Sequence, residues 1–449
     1  MIAVLPGRRY TALWAAGAAV AAVALLAGAP QGLVGLAAAA WALALVLAAA
    51  IDLGREHRAW RAAPVTLQRR LPAALAIGVE RELPLLLQNP AAHARRIALF
   101  DHPDGRLGHR GLPLALTLEA KAGTEARYVL QPAQRGLMRF APAELRIATP
   151  WRLFDVRRRI GPDESLRVYP DFAQVARYAW LAGDRRLSEI GIKSYSQRGE
   201  GTDFRELAEY RPGDDTRHID WKATLRFSRP IVREFQDERD QCVMFLLDCG
   251  RRMRAADDDP LHGGHFDHAL NATMLLAYVA LASGDAVGAM TYGAPGGDRH
   301  VAPRKGRATL HGLMAALYDV QPQAEHADIQ AAAQALMHKQ PKRALVVVIT
   351  NFRDEDADEA GPALALLRSR HLVLLASLRE RALREAIEQP LAGAAAARRV
   401  AAAHALEQAR RDAFVRLAAR DALLVDAEPR ELPAALVNRY HAVKRAGLL

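Results

Sequence analysis

Two apolar runs near the N-terminus restrict this chain more than any other feature. Thr11 to Gly28 and Leu33 to Ile51 contain no charged side chain. Each approaches the roughly 20 residues a helix needs to cross the hydrocarbon core of a bilayer. Only Ala29, Pro30, Gln31 and Gly32 separate them, so the spacing predicts a helical hairpin. A cleaved signal peptide would explain the first run alone, and the immediate second run argues against it. Arg8 and Arg9 precede the pair, Arg55, Arg58 and Arg61 follow it, and the connecting turn is uncharged. Arginine on both flanks predicts that both face the cytoplasm. Residues 1–61 are thus expected to anchor the chain in the cytoplasmic membrane, with the bilayer as a partner and everything after residue 54 cytoplasmic.

The remaining length divides further. At 449 residues two or three units are expected, and 51% apolar residues exclude wholesale disorder. From 62 to 170 short apolar runs (LPLLLQN, RRIALFDH, LALTLEA, ARYVLQP, ELRIATP) alternate with turns such as Asn89-Pro90 and Asp104-Gly105. That rhythm predicts a small β-sandwich. His93, His102 and His109 read as loop histidines without ligand spacing. From 241 to 449 the rhythm becomes strand and helix in alternation: VMFLLD, AVGAMTYG, ALVVVIT, HLVLLASL and ALLVDA are strands between helical segments. Near-continuous apolar strands imply a parallel sheet covered on both faces. Ligands in such folds bind at the carboxyl ends of the strands, here near Asp248, Tyr292, Thr350 and Asn351.

Between these parts, residues 171–240 form a linker with an unusual charge string. Six acidic and five basic residues fall between Asp203 and Arg226. Asp203 with Glu206 fits a capping box, predicting a short helix through Phe204, Leu207 and Ala208 that stops at Pro212-Gly213. Asp214 and Asp215 are placed to cap a second helix carrying His218, Ile219, Asp220 and Trp221. Trp221 reads as a core anchor; exposed beside arginines, it would instead mark an interface. Cys242 and Cys249 flank the first core strand and read as reduced thiols.

The string GEGTDFRELAEYRPGDDTRHIDWKATLR closely resembles the signature of the bacterial family called domain of unknown function 58. RGLMRFAPAELRIATPWRLFDV resembles that family's segment before the core, and the two N-terminal spans match its usual anchor. The resemblance covers essentially the whole chain. It implies a von Willebrand factor A-like α/β domain of Rossmann type after the sandwich and hairpin, and an inner-membrane location. It also implies partnership with MoxR-type AAA+ ATPases, beside which such proteins are usually encoded; other envelope proteins are further partners.

Von Willebrand A domains usually hold Mg²⁺ through an Asp-x-Ser-x-Ser loop with a further Thr and Asp. The matching residues are Asp248, Gly250 and Arg252, with Thr350 and Asn351 after a later strand. Both serines are replaced, so the site reads as degenerate and no metal or cofactor is expected. Asp248 is expected to pair with Arg251 or Arg252, or to cap its own loop. No serine or cysteine nucleophile sits in a recognisable motif, and no glycine loop cradles phosphate. The signature residues Arg205, Arg211, Asp214, Asp215, Arg217, His218, Asp220 and Trp221 therefore read as a brace and docking surface. The competing reading is a metal-dependent hydrolase on the GDD-x-x-H-x-D cluster. The 61 basic against 50 acidic residues, net +11, are spread evenly along the chain, which disfavours nucleic acid as a partner.

Overall fold

The computed structural model describes residues 3–170, 203–211, 216–236, 241–256, 263–418 and 423–448. The chain forms two compact units, Met1–Leu75 with Val79–Val168, and Ala76–Gly78 with Tyr169–Leu449.

The first unit begins with a short strand β1 (Ala3–Pro6) and two helices, α1 (Arg8–Leu26) and α2 (Gln31–Ala62), both long and apolar enough to cross a membrane. Beyond its apolar stretch α2 becomes amphipathic: Asp52 and Glu56 are buried, and Asp52 Oδ1 accepts the Trp151 amide at 2.9 Å. The rest is antiparallel sheet. Its strands are β2 (Thr66–Arg69), β3 (Leu75–Ala76), β4 (Arg81–Asn89), β5 (Arg95–Pro103), β6 (Leu107–Arg110), β7 (Leu114–Leu118), β8 (Ala122–Pro132), β9 (Gly136–Ala148), β10 (Phe154–Ile160) and β11 (Glu164–Tyr169). One sheet has seven strands and runs β1-β10-β9-β11-β3, with β5 on β9 and β7 on β5; the other runs β2-β4-β8-β6. Alternate residues face inward, as Leu83, Leu85 and Leu87 of β4 and Leu99 of β5 do. One charged network crosses this interior. Arg69 donates to both Asp101 oxygens, to Glu164 at 2.9 Å and to the Ala141 carbonyl at 2.6 Å. Tyr128 donates to the same Asp101 at 2.8 Å. The three histidines do not all lie in loops: His102 stands in β5 and His109 in β6, because both strands run past the apolar residues that mark them in the sequence.

In the second unit, β12 (Asp203–Glu209) pairs antiparallel with β13 (Ile231–Gln236), and helix α3 (Trp221–Phe227) lies between them in sequence. The predicted helix from Asp203 is therefore a strand. Over seven residues helical and alternating patterns both fit, and the ladder from Asp203–Gln236 to Glu209–Ile231 decides between them.

The main sheet follows: β14 (Cys242–Asp248), β15 (Ala286–Tyr292), β16 (His300–Arg304), β17 (Leu345–Thr350), β18 (Leu372–Leu378) and β19 (Leu423–Ala427). Its spatial order is β16-β15-β14-β17-β18-β19, parallel except for the antiparallel edge β16. Side chains alternate across the sheet, so β14 sends Val243, Phe245 and Leu247 to one core and Met244 and Leu246 to the other. The first core is closed by α4 (His265–Ala282), α5 (Arg307–Leu317) and α10 (Leu432–Arg445). The second is closed by α6 (Ile329–Lys339), α7 (Ala357–Arg368) and α9 (Ala394–Ala418), while α8 (Arg381–Glu388) follows β18. At the start of β15, Asp285 is fully buried and receives the Tyr440 hydroxyl and the Lys444 ammonium, the latter at 3.0 Å.

Candidate functional site at the carboxyl rim of the parallel sheet

β14 is followed in the chain by β15 on one side and in space by β17 on the other. The crossovers change side between β14 and β17, and a crevice is expected at their carboxyl ends. A cavity of about 40 Å³ lies there, lined by Asp248, Gly250, Tyr292, His326, Thr350 and Asp356 among others. Of the expected carboxyl-end residues, Asp248, Tyr292 and Thr350 line it together, whereas Asn351 turns to other partners.

Asp248 is spoken for by the protein itself. Its Oδ1 accepts the Gly250 amide at 2.7 Å and its Oδ2 accepts the Thr350 hydroxyl at 2.6 Å. The carboxylate therefore caps its own loop and does not pair with an arginine, because Arg252 turns to Asp356 at 2.7 Å and Glu355 at 3.2 Å. Burial pushes the Asp248 carboxyl above its usual range, against the two hydrogen bonds that favour its charged form. Burial raises Tyr292 well above its ordinary value too. Asp356 is raised by burial despite Arg252, whereas the exposed Glu355 is lowered by its hydrogen bond and attraction to Arg252.

Asn351 is almost fully buried and donates to Glu380 Oε1 at 3.0 Å, with His265 Nδ1 3.4 Å away. Burial would raise Glu380, but Arg353 at 2.5 Å and Asn351 outweigh it and hold the carboxyl below its usual value. His326 meets Glu359 at 2.9 Å, and both line the cavity.

These residues do not fit a magnesium ion. Mg²⁺ demands oxygen ligands in a near-octahedral array. Both Asp248 oxygens already accept protein donors, and a guanidinium stands where a hydroxyl would be needed. Among the described residues no group of three His, Cys, Asp or Glu side chains is arranged to hold a metal. Gly250 is also sterically closed. A Cβ there would meet the Ala327 Cβ at 2.8 Å and the Ala327 amide nitrogen at 3.0 Å. The loop is stitched down on this side, with Arg251 N donating to Glu325 O and Gln323 N to Cys249 O, both at 2.8 Å. Cys242 and Cys249 are both free thiols.

Of the described signature residues, Arg205 is in β12, Arg211 follows it, Arg217 and His218 form a single turn, and Asp220 and Trp221 start α3. Asp214 and Asp215 fall outside the described residues, as does the side chain of Arg205. The helix they were expected to cap starts later and is capped by Asp220, whose carboxylate accepts the Ala223 amide at 2.9 Å. Arg211 and Arg217 are exposed, and His218 is half-buried. Trp221 is no core anchor: it is 68% exposed, because Ala223 is the residue of α3 that turns inward.

Sequence reasoning missed Arg410 of α9. It is buried and donates to both Asp426 oxygens at 2.8 and 2.6 Å, to Ser377 Oγ at 2.9 Å and to the Phe352 carbonyl at 3.1 Å. One side chain thereby ties the ends of β17, β18 and β19 together.

Residues 206–423 match the family described as Protein of unknown function DUF58, which supports that family for this region. An uncharacterized protein of Mycobacterium tuberculosis and one of Mycobacterium bovis are each 27% identical over 157 residues, 34% of this chain and 48% of theirs. The chain thus spans about half the length of the curated relatives it matches. Among solved structures, alpha-2-macroglobulin from Escherichia coli aligns at 20% identity, 24% of this chain and 17% of that one, TM-score 0.21. The CARDB domain of a Pyrococcus furiosus protein aligns at 14%, 24% of this chain and 88% of that one, TM-score 0.19.

Proposed function

We propose that this protein is a membrane-anchored interaction protein, not an enzyme. Its von Willebrand A-like sheet docks a cytoplasmic MoxR-type AAA+ ATPase, or that ATPase's client, at the carboxyl rim. The supporting observation is the state of Asp248: the acid at the end of β14 is engaged by Gly250 and Thr350. A carboxylate held this way, with each oxygen accepting a protein donor, shapes its loop. Around it the rim presents the exposed Arg251, Arg254 and Arg353 beside Glu355, a charged surface suited to fixing the register of a protein partner. The partner class is what the family resemblance implies, and α1 and α2, long and apolar enough to cross a bilayer, support the anchoring.

Affinity capture of the full chain from detergent-extracted bacterial membranes, with and without ATP, tests this reading. The expected result is nucleotide-dependent recovery of a MoxR-type ATPase, lost on Arg251→Glu with Arg353→Glu and retained on Asp248→Asn. Recovery unaffected by rim reversal would place docking elsewhere. A periplasmic reporter fused after Leu449 that became active in intact cells would remove the ATPase from reach altogether.

A further inference from the structure

Helix α3 has two unlike sides. Its inner side is fixed to β13: Ala223 is buried, Asp220 caps the first turn, and the Thr224 hydroxyl accepts the Ile231 amide at 3.0 Å. Its outer side exposes Trp221 (68%) and Leu225 (82%); Phe227, four residues after Ala223 and at the last turn, is 52% exposed on the inner stripe. Trp221 and Leu225 are four apart, so they stand on one helical stripe; Lys222 and Arg226 form a second, cationic stripe beside it. From Thr216 to Arg233 the chain carries five basic residues (Arg217, Lys222, Arg226, Arg229, Arg233) and one acid, Asp220, whose carboxylate is engaged as the cap.

Two large apolar side chains together on one exposed stripe are more than scattered surface hydrophobicity, and such a patch marks a contact. Its chemistry selects the occupant. A tryptophan ring with a neighbouring leucine suits the headgroup–acyl boundary, and interleaved cations suit anionic headgroups. The same chain carries two helices able to cross a bilayer, which would keep a lipid surface at high effective concentration. We infer that α3 is a membrane-contact element: Trp221 and Leu225 enter the interfacial layer of an anionic bilayer, with Lys222 and Arg226 at the headgroups. This rests on the anchored reading above but is independent of any ATPase partner.

The test uses the full chain in lipid nanodiscs whose phosphatidylcholine carries bromine on the acyl chains, with or without phosphatidylglycerol. Bromine quenches tryptophan by contact, and the difference between wild type and Trp221→Phe isolates Trp221 from the other tryptophans. The expected result is a Trp221 quenching component in anionic discs. It is lost when phosphatidylglycerol is omitted and in Lys222→Glu with Arg226→Glu. A chain that enters the discs but shows no Trp221 component overturns the inference and leaves anchoring intact. Quenching indifferent to lipid charge and to charge reversal overturns the anionic assignment. Trp221 shielded from bromine but blue-shifted on raising the protein-to-disc ratio assigns the patch to a second copy of the chain. Failure to co-elute with discs refutes anchoring and this inference together.

Discussion

The Thr350 hydroxyl donates to Asp248 Oδ2 at 2.6 Å, joining the carboxyl ends of two parallel strands where the crossovers change side. The bond turns a position that commonly serves ligands into part of the framework. It also leaves a buried carboxyl whose proton is held above the ordinary aspartate range.

That burial has a sign. The folded protein keeps the Asp248 proton at pH values where the unfolded chain, with a value of about 3.9, has released it. The stability contributed by this group is therefore full below that value and is lost as pH rises through the raised one. Asp356 shifts in the same direction and Glu355 and Glu380 in the other, so a difference measurement is needed. Urea denaturation of wild type and Asp248→Asn from acidic to neutral pH should show the variant gaining relative stability as pH rises. Parallel pH profiles would refute the raised value.

Gly250→Ser should not create a Mg²⁺ site. The added Cβ runs into Ala327, whose amide nitrogen is 3.0 Å away and belongs to backbone that cannot swing aside. Overpacking of this kind costs about 1–3 kcal/mol. Thermal melting should fall, and calorimetry should detect no stoichiometric Mg²⁺ binding even with Arg252→Ser added. Tight binding in that double variant would show that the loop retains the geometry of a metal site.

Arg410→Met should be among the most damaging single changes in the second unit. It leaves the buried Ser377 hydroxyl and the Phe352 carbonyl without this donor, at about 1–3 kcal/mol for each unmet group, while the exposed Asp426 carboxylate returns to water. A melting temperature unchanged by Arg410→Met would contradict the clamp.

The contrast between Arg410 and Asp248 shows what the sequence discloses. β14, β17 and β18 are legible because strands buried on both faces are almost uninterrupted apolar runs, and the carboxyl-end residues follow from them directly. Arg410 is not legible, since Asp426, Ser377 and Phe352 lie 16, 33 and 58 residues away and only tertiary packing gathers them. α6 is obscured differently: its inward Ile329, Ala332, Ala333 and Leu336 sit in an alanine-rich segment where buried and exposed faces look alike. Residues Asp203 to Glu209 carry a capping box yet form a strand, because the ladder to β13 outweighs a local cap.

Asp220→Ala should lower stability by about 0.5–2 kcal/mol, since the carboxylate supplies the only side-chain cap of α3. Asp220→Asn, which keeps an acceptor oxygen, should cost much less. Hydrogen exchange at the Ala223 amide reports the cap directly, and equal protection in wild type and Asp220→Ala would dismiss it.

Asp285 sets a timetable for making this protein. Its partners Tyr440 and Lys444 lie 155 and 159 residues further along, so when the carboxylate leaves the ribosome nothing yet exists to receive it. At bacterial synthesis speeds that interval is on the order of ten seconds or more. During it, the chain cannot bury Asp285, the residue before β15, with its partners in place, and the core beneath α10 stays open. A growing chain whose leading helices had already reached the bilayer would carry this unfinished sheet alongside, and quality control of the nascent protein would act in that window.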